Sequence, residues 1–347
     1  MDARTLSPQL PQWLLPWYEQ NKRDLPWRQD REPYHIWVSE IMLQQTRVEA
    51  VKGYYARFLA ALPTVEALAS CDDDALHKLW EGLGYYSRVR NLQRAAQELT
   101  RRGGFPQTAE ELERLPGIGA YTAGAIASIC FEQKTPAVDG NVLRVVSRLL
   151  NDHRPTDDVK LRREYRDALA DIYPAGRCGE FTQALMELGA TVCVPNGAPQ
   201  CARCPLQDAC AAHRSGRELQ FPVRAEKRAK RVEQRTVLLM RCGDRLAVCK
   251  RPERGLLAGL WQFPDVEGEQ SAQQALALAA QWGVHPTGIE RAVSRSHIFT
   301  HVRWELTGVL LTCAVEAPQF RWVTQRELET EIGLPTAYRQ FLTCISP

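Results

Sequence analysis

The sequence predicts a mainly α-helical first domain followed by an α+β second domain, and three features carry that division. Apolar residues recur at helical spacing from Tyr34 to Leu188, the spacing turns to period two from Arg235, and a basic stretch separates the two regimes. With 347 residues the chain can build two domains of ordinary size, each with its own core. The predicted organisation is a first domain over 1–222, a linker over 223–235 and a second domain over 236–347. The linker, VRAEKRAKRVEQR, holds six basic and two acidic residues, so its +4 exceeds the +3 of the whole chain.

Charged and apolar fractions of 24% and 44% are those of a folded globular protein and exclude wholesale disorder. No apolar run reaches membrane-spanning length and the start MDARTLSPQLPQW has no signal-peptide pattern, so a cytoplasmic protein without a membrane partner is expected. Four of the eleven cysteines, Cys193, Cys201, Cys204 and Cys210, crowd into one segment with spacing C-x7-C-x2-C-x5-C. The other seven are scattered, as in a reducing compartment, so the cluster reads as a metal site rather than as disulfides. Structural zinc usually takes two Cys pairs on a longer loop, whereas a cubane iron–sulfur cluster accepts a single tight wrap.

In chain order, Arg23-Asp24-Leu25-Pro26-Trp27-Arg28 is a polar-aromatic run, either a packed loop or the edge of a pocket for a planar ligand. Tyr34, Trp37, Val38, Ile41 and Met42 form a helical stripe with Glu40 beside it, predicted half buried. On this segment alone Glu40 reads as a solvated flank, although a carboxyl beside an apolar face acquires the raised pKa of a general acid. Gln44-Gln45-Thr46 offers uncharged hydrogen-bonding groups at the helix end, to base edges or to solvent. Residues 54–100 alternate amphipathic helices around Gly82-Leu83-Gly84-Tyr85-Tyr86, whose aromatics read as core anchors or as a wedge for a base stack. Arg88, Arg90 and Arg94 then suit phosphates or mere solvation.

Thr108-x-x-Glu111 is a capping box for a helix ahead of the hairpin LPGIGAYTAGAIASI (115–129). Gly117 and Gly119 form the turn, and a small-residue helix from Ala120 to Ile129 offers bare N–H groups that suit a phosphate. A lone turn of this kind is also an ordinary corner of an all-α domain. Asp139 precedes the helical face Val142, Val145, Val146 and Leu149 and reads equally as an N-cap and as a catalyst. Residues 161–192 are predicted helical and carry Gln183. In the second domain, strands over 235–240 and 245–249 are joined by Gly243-Asp244, further strands cover 302–313 and 320–323, and helices cover 271–282 and 325–343.

Glu40 ahead of Gln44-Gln45-Thr46, the 115–129 hairpin, Val138-Asp139-Gly140-Asn141 and the four-Cys loop follow one another in an order that resembles the adenine DNA glycosylases of the helix-hairpin-helix superfamily. The segments 255–264 (GLLAGLWQFP) and 297–301 (HIFTH) extend the resemblance to nearly the whole chain. It implies a six-helix barrel with the hairpin, an iron–sulfur cluster domain and a Nudix-like second domain. It further implies excision of adenine mispaired with 8-oxoguanine or guanine from double-stranded DNA, after extrusion of the nucleotide.

By the same resemblance Glu40 protonates the purine and Asp139 stabilises the oxocarbenium-like sugar, with Tyr121 and Asn141 orienting them. Trp27, Arg28 and Gln183 would line the adenine pocket. Gln44, Gln45, Thr46, Leu83, Tyr85, Arg88, Gly117 and Gly119 would contact DNA, and Phe299, Thr300 and His301 would read 8-oxoguanine. Cys193, Cys201, Cys204 and Cys210 would hold one [4Fe–4S] cluster. The resemblance also leaves room for a monovalent cation at the hairpin and for repair or replication proteins as partners of a monomer working on a bacterial-type nucleoid.

Departures from the family pattern sharpen the expectation. Relatives that also cut the strand carry Lys where this chain has Tyr121, and some carry Lys at Leu143, so a monofunctional glycosylase is expected. The first cysteine gap is seven residues instead of six, and Thr300 replaces a Ser. A Nudix hydrolase would need metal-binding glutamates before Trp282-Gly283, and residues 275–281 (ALALAAQ) contain none. The remaining alternatives are an endonuclease-III-like pyrimidine-damage glycosylase and a non-catalytic DNA-binding scaffold.

Overall fold

A computed structural model describes residues 6–225 and 229–345. Residues 226–228 of the expected linker lie outside the described residues. The chain folds as two compact units, one of Met1–Ser70 with Arg90–Lys227 and the other of Cys71–Val89 with Arg228–Pro347. The chain-order division into 1–222 and 236–347 assigned residues 71–89 to the first domain, whereas here they pack with the second. Helical periodicity reports that a segment has an apolar face and not which core receives it.

The first unit is helical among its described residues. Its centre pairs the helix Pro33–Leu43 with the helix Ala120–Phe131. Tyr34, Trp37, Val38, Ile41 and Met42 are all buried, and so are Ile36, Ser39 and Glu40. Glu40 was expected half buried and is only 6% exposed, because neighbours cover this helix on nearly every side. Gly124 lets the segment after Ala120–Phe131 fold back closely on that helix: a Cβ there would sit 2.6 Å from the Pro136 carbonyl oxygen. The Thr108 hydroxyl accepts the Glu111 N–H at 3.4 Å and caps a single turn, Ala109–Leu112. Gly117, at φ +75 with a virtual Cβ 2.6 Å from the Asn91 Cβ, then turns the chain in a way only glycine allows.

A second helical layer packs Leu10–Asn21, Gly140–Leu150 and Cys178–Thr191 through Leu14, Tyr18, Val142, Val146, Phe181 and Leu185. The predicted 161–192 helix is two helices, Val159–Ala170 and Cys178–Thr191, broken at Pro174-Ala175-Gly176 where Gly176 takes φ +72.

The second unit contains β1 (Arg231–Cys242), β2 (Arg245–Lys250), β3 (Trp261–Gln262), β4 (Asp265–Glu267), β5 (Pro286–Ile298), β6 (Val302–Cys313) and β7 (Arg321–Thr324). The strand order is β3-β2-β1-β6-β5, with β4 also on β1 and β7 on β2. The β1–β2 hairpin turns at Gly243-Asp244 as expected, with Cys242 opposite Arg245. Strand β1 starts at Arg231, inside the expected linker, because parallel pairing with β6 from Arg231 opposite Val302 draws a charged stretch into the ladder. Both faces are covered: Val237 and Leu239 meet Phe263, Trp304 and Phe341, while Leu238 and Met240 meet Ala275, Ala279 and Leu311. β5 escaped prediction because its exposed edge lacks a clean alternation. The expected helix 325–343 is three pieces, Gln325–Thr330, Thr336–Arg339 and Leu342–Cys344, the first two separated by Gly333-Leu334-Pro335. The helix Ala272–Gln281 is capped by Ser271 and Gln274 and carries no acidic residue.

Candidate active site

A cleft of about 610 Å³ in the first unit gathers residues that the sequence scatters over 27–183. Trp27, Arg28, Glu40, Gln44, Gln45, Thr46, Tyr121, Asp139, Asn141 and Gln183 all line it, so three residues expected to contact DNA share the cleft with those expected to bind adenine and to act on it. Glu40 arrives on the helix Pro33–Leu43, and Tyr121 on the first turn of Ala120–Phe131 donates its hydroxyl to Glu40 Oε2. Burial pushes the Glu40 carboxyl up to about 7; the Tyr121 hydrogen bond opposes the rise and the Asp139 charge adds to it. The Tyr121 phenol is driven well above its ordinary range by burial and the nearby carboxylates, so it stays a neutral donor.

Asp139 is both cap and pocket residue. Its Oδ1 accepts the Val142 N–H at 2.7 Å, closing the first turn of Gly140–Leu150, and its Oδ2 accepts from Asn141 Nδ2 at 2.7 Å. The helix dipole favours the charged form at this position. Burial instead raises its pKa, and the Val142 and Asn141 hydrogen bonds restrain the rise. Asn141 is in turn held by Arg144, whose Nη2 donates to Asn141 Oδ1 and to the Gly189 carbonyl, both at 2.8 Å. Gly189 is obligatory there, since a Cβ would sit 2.5 Å from the Asn141 Cβ.

Sequence reasoning missed the floor of the cleft. Glu187 is fully buried on Cys178–Thr191 and is clasped by Arg23 (Nε to Oε1 2.7 Å, Nη2 to Oε2 2.9 Å) and Arg28 (Nη2 to Oε2 2.8 Å). Burial works against its charge, but the two guanidinium groups outweigh burial and hold it below the usual carboxylate range. The signal was a Glu on the buried face of an apolar helix. Tyr18 was also missed: its hydroxyl donates to Gln183 Oε1 while Arg28 lies over its ring. At the lip, Gln45 takes φ +62, a left-handed conformation that surroundings must hold in a non-glycine residue. Among the described residues no lysine lines the cleft, and Tyr121 and Leu143 occupy the two positions considered for one.

Gly117 and Gly119 sit apart on the exposed hairpin, and Gly119, with open space around its Cβ position, starts the helix without a side-chain cap. The four cysteines are free and line one small cavity with Arg148, Gln207, His213 and Glu218. Arg148 donates to Cys193 Sγ at 3.1 Å, and Arg144 Nε donates to the Cys193 carbonyl at 2.7 Å. The first gap runs through an exposed bend at 195–198, where Gly197 takes φ +75. Four thiols around one cavity, with a cationic donor on Cys193, have the donor chemistry of a thiolate-ligated metal centre, and among the described residues the ligand atoms of Cys201, His213 and Glu218 lie within 4.8 Å of one another.

The remaining predicted residues lie in the second unit. Thr300 and His301 are exposed on the turn between β5 and β6, closed by the Phe299 N–H donating to the Val302 carbonyl at 2.8 Å. Tyr85 is 51% exposed with its hydroxyl 3.2 Å from Thr300 Oγ1, whereas Leu83 is buried. Arg88 faces inward: Nη2 donates to the Leu83 and Gly84 carbonyls at 2.9 and 3.2 Å, and burial lowers its pKa to about 10.

Residues 38–170 match the HhH-GPD superfamily of base excision DNA repair proteins, and residues 236–344 match the NUDIX domain. Adenine DNA glycosylase of Rattus norvegicus is 37% identical over 90% of this chain and 73% of its own length; that of Homo sapiens is 35% identical over 91% and 70%. That of Buchnera aphidicola (subsp. Acyrthosiphon pisum) is 28% identical over 95% and 96%. Among solved structures, a thermostable thymine-DNA glycosylase superposes with TM-score 0.54 at 26% identity, covering 59% of this chain and 95% of that one. A trapped endonuclease III–DNA intermediate gives TM-score 0.51 at 24% identity, over 61% and 99%, a likeness of fold. No helix among the described residues is long and apolar enough to cross a membrane. With two domain matches in the right order and relatives aligned along nearly the whole chain, this chain belongs to the adenine DNA glycosylases, the DNA glycosylases of base excision repair.

Proposed function

We propose that the protein removes adenine paired with 8-oxoguanine or guanine in duplex DNA, and that it does so without cutting the strand. The observation that supports this reading most is the pairing, in one cleft, of a carboxyl raised to about 7 by burial with a second carboxyl fixed by two hydrogen bonds. Protonated Glu40 gives its proton to a ring nitrogen of the extruded adenine, and the electron pair of the glycosidic bond leaves with the base. Asp139, ionised and steered by Asn141, stabilises or traps the cationic sugar until water adds. Trp27 offers a flat face to the purine, while Arg28, Gln183 and Glu187 supply polar edges to it. Tyr121 and Leu143 in place of an amine support release of the base without Schiff-base chemistry. The turn Phe299–His301, with Tyr85, faces the opposite base; Gln44, Gln45 and Thr46 contact the opened stack, and the hairpin glycines Gly117 and Gly119 contact a phosphate.

The cysteines Cys193, Cys201, Cys204 and Cys210 would hold a [4Fe–4S] cluster, which would supply a rigid cross-link to the loop. Full-length protein purified without oxygen should then carry about four irons per chain, and a Cys204→Ser variant should not. The function itself is tested by single-turnover reaction of a duplex bearing one A opposite 8-oxoguanine. Adenine release with strand breaks only after alkali is expected, and Glu40→Gln should bind that duplex yet release nothing. Release from oxidised-pyrimidine duplexes alone would sink the reading in favour of a pyrimidine-damage glycosylase.

A further inference from the structure

We propose that residues 71–89 work as part of the second unit's opposite-base reading surface, and that Glu81 is the positioning residue that holds them there. The inference rests on the reading above that Tyr85 and Thr300 face the base opposite the adenine.

The loop at issue is strained. Gly82, Gly84 and Tyr85 take φ +96, +67 and +47, and a tyrosine in left-handed geometry persists only where its surroundings hold it. Arg88 and Trp80 do the holding. Arg88 grips the Leu83 and Gly84 carbonyls while its guanidinium lies 5.3 Å from the Trp80 ring centre and 5.5 Å from that of Tyr85. Trp80 Nε1 adds a third bond, to the Gly84 carbonyl at 3.0 Å.

This clamp is rooted in Glu81. Its carboxylate is buried, accepts the Leu334 N–H at 3.0 Å, and pairs with Lys78 at 3.0 Å and Arg339 at 2.9 Å. Lys78 also donates to the Leu328 and Ile332 carbonyls at 3.2 and 3.1 Å. The backbone at Gly333 lies so close that a Cβ there would come within 3.1 Å of the His77 carbonyl carbon. A buried carboxylate with two cations and a backbone donor is a costly arrangement to disrupt, because its loss strands a buried N–H and uncompensated charge. At the far end the Tyr85 hydroxyl meets Thr300. The loop and the Phe299–His301 turn are therefore fixed to each other twice, directly and through the Glu81 anchor. A lesion that engages Thr300 engages a surface already shared with the wedge, so recognition of the opposite base and support of the opened stack are one event.

The test uses the full chain with Glu81→Ala, Glu81→Gln and Arg339→Met, the last at a half-exposed position that folding tolerates. Glu81→Ala and Arg339→Met should lower the preference in affinity for 8-oxoguanine over guanine opposite A by roughly tenfold, an ordinary coupling strength. The excision rate on A opposite guanine at saturating enzyme should change less than about twofold, the split expected when only binding is altered. Glu81→Gln keeps an acceptor for Leu334 but leaves Lys78 and Arg339 without their counter-charge, so its preference should fall between those of Glu81→Ala and the parent. Hydrogen exchange at 82–86 should quicken in Glu81→Ala and Arg339→Met while that at 140–150 stays unchanged. An unaltered preference with unaltered exchange, or an equal loss on both duplexes, would overturn the proposal. A parent chain that excises no adenine would overturn the functional reading instead, and the exchange experiment would still decide whether Glu81 holds the loop.

Discussion

Glu40 shows how one burial event sets both chemistry and stability. Its carboxyl is raised from 4.5 to about 7, so the protonated form that the acid role needs is present below about 7 and is lost as pH rises through it. Excision in single turnover should therefore fall on the alkaline side of neutrality, which a pH–rate profile measures. The linkage has a definite sign. Between about 4.5 and 7 the native state binds more protons at this site than the unfolded chain, so this residue's contribution to stability declines as pH rises through that window. Glu40→Gln removes the penalty. It should melt above the parent at pH 8, with the gap closing toward pH 5 by calorimetry, while excision is lost. A gap wider at pH 5 than at pH 8 would contradict the burial argument.

The helix Gly140–Leu150 separates structure from catalysis at the scale of an element. Asp139 caps it, and asparagine caps as well as aspartate, so Asp139→Asn should alter stability by less than about 0.5 kcal/mol while abolishing excision. A loss of several kcal/mol would mean that the carboxylate was needed for the fold. Glycines give the complementary pair. Gly189→Ala drives a methyl into Asn141 and should cost about 1–3 kcal/mol and most of the activity, by denaturant titration and single-turnover rate. Gly119→Ala meets open space at an ordinary φ of −97, so the fold should be unchanged and only DNA affinity should drop.

At the scale of the whole molecule, among the described residues one buried cluster of the first unit runs through Leu14, Val146 and Phe181, and two clusters of the second flank β1 and β6. The cysteine loop is tied only into the first, by Arg144 and Arg148 from Gly140–Leu150, among the hydrogen bonds of the described residues. Cys204→Ser, if the loop holds a cluster, should therefore loosen one unit selectively. Hydrogen exchange should rise at 144–150 and 188–193 and stay unchanged at 237–241 and 306–311. Equal loosening of both sets would show that the units fold as one.

The local elements were legible because they depend on neighbours in sequence. The Tyr34–Met42 stripe, the Thr108 cap, the Gly117 turn, the Gly243-Asp244 hairpin and the acid-free helix before Trp282 all follow from spacing and backbone preference. The grouping of the cleft residues came from resemblance, since nothing in spacing joins Trp27 to Gln183. What only the tertiary structure decided depends on partners far along the chain. Glu187 is a surface-type residue by composition and becomes a buried ionised group because two arginines 159 and 164 residues away reach it. Arg88 reads as a phosphate ligand and is turned inward by the carbonyls of its own loop. Residues 231–235 read as linker and become strand because β6 pairs with them. Residues 71–89 read as first-domain helix and join the second unit through Glu81. A sequence specifies which faces are apolar and where the backbone can turn; burial of charge and choice of partner are set only when distant segments share one volume.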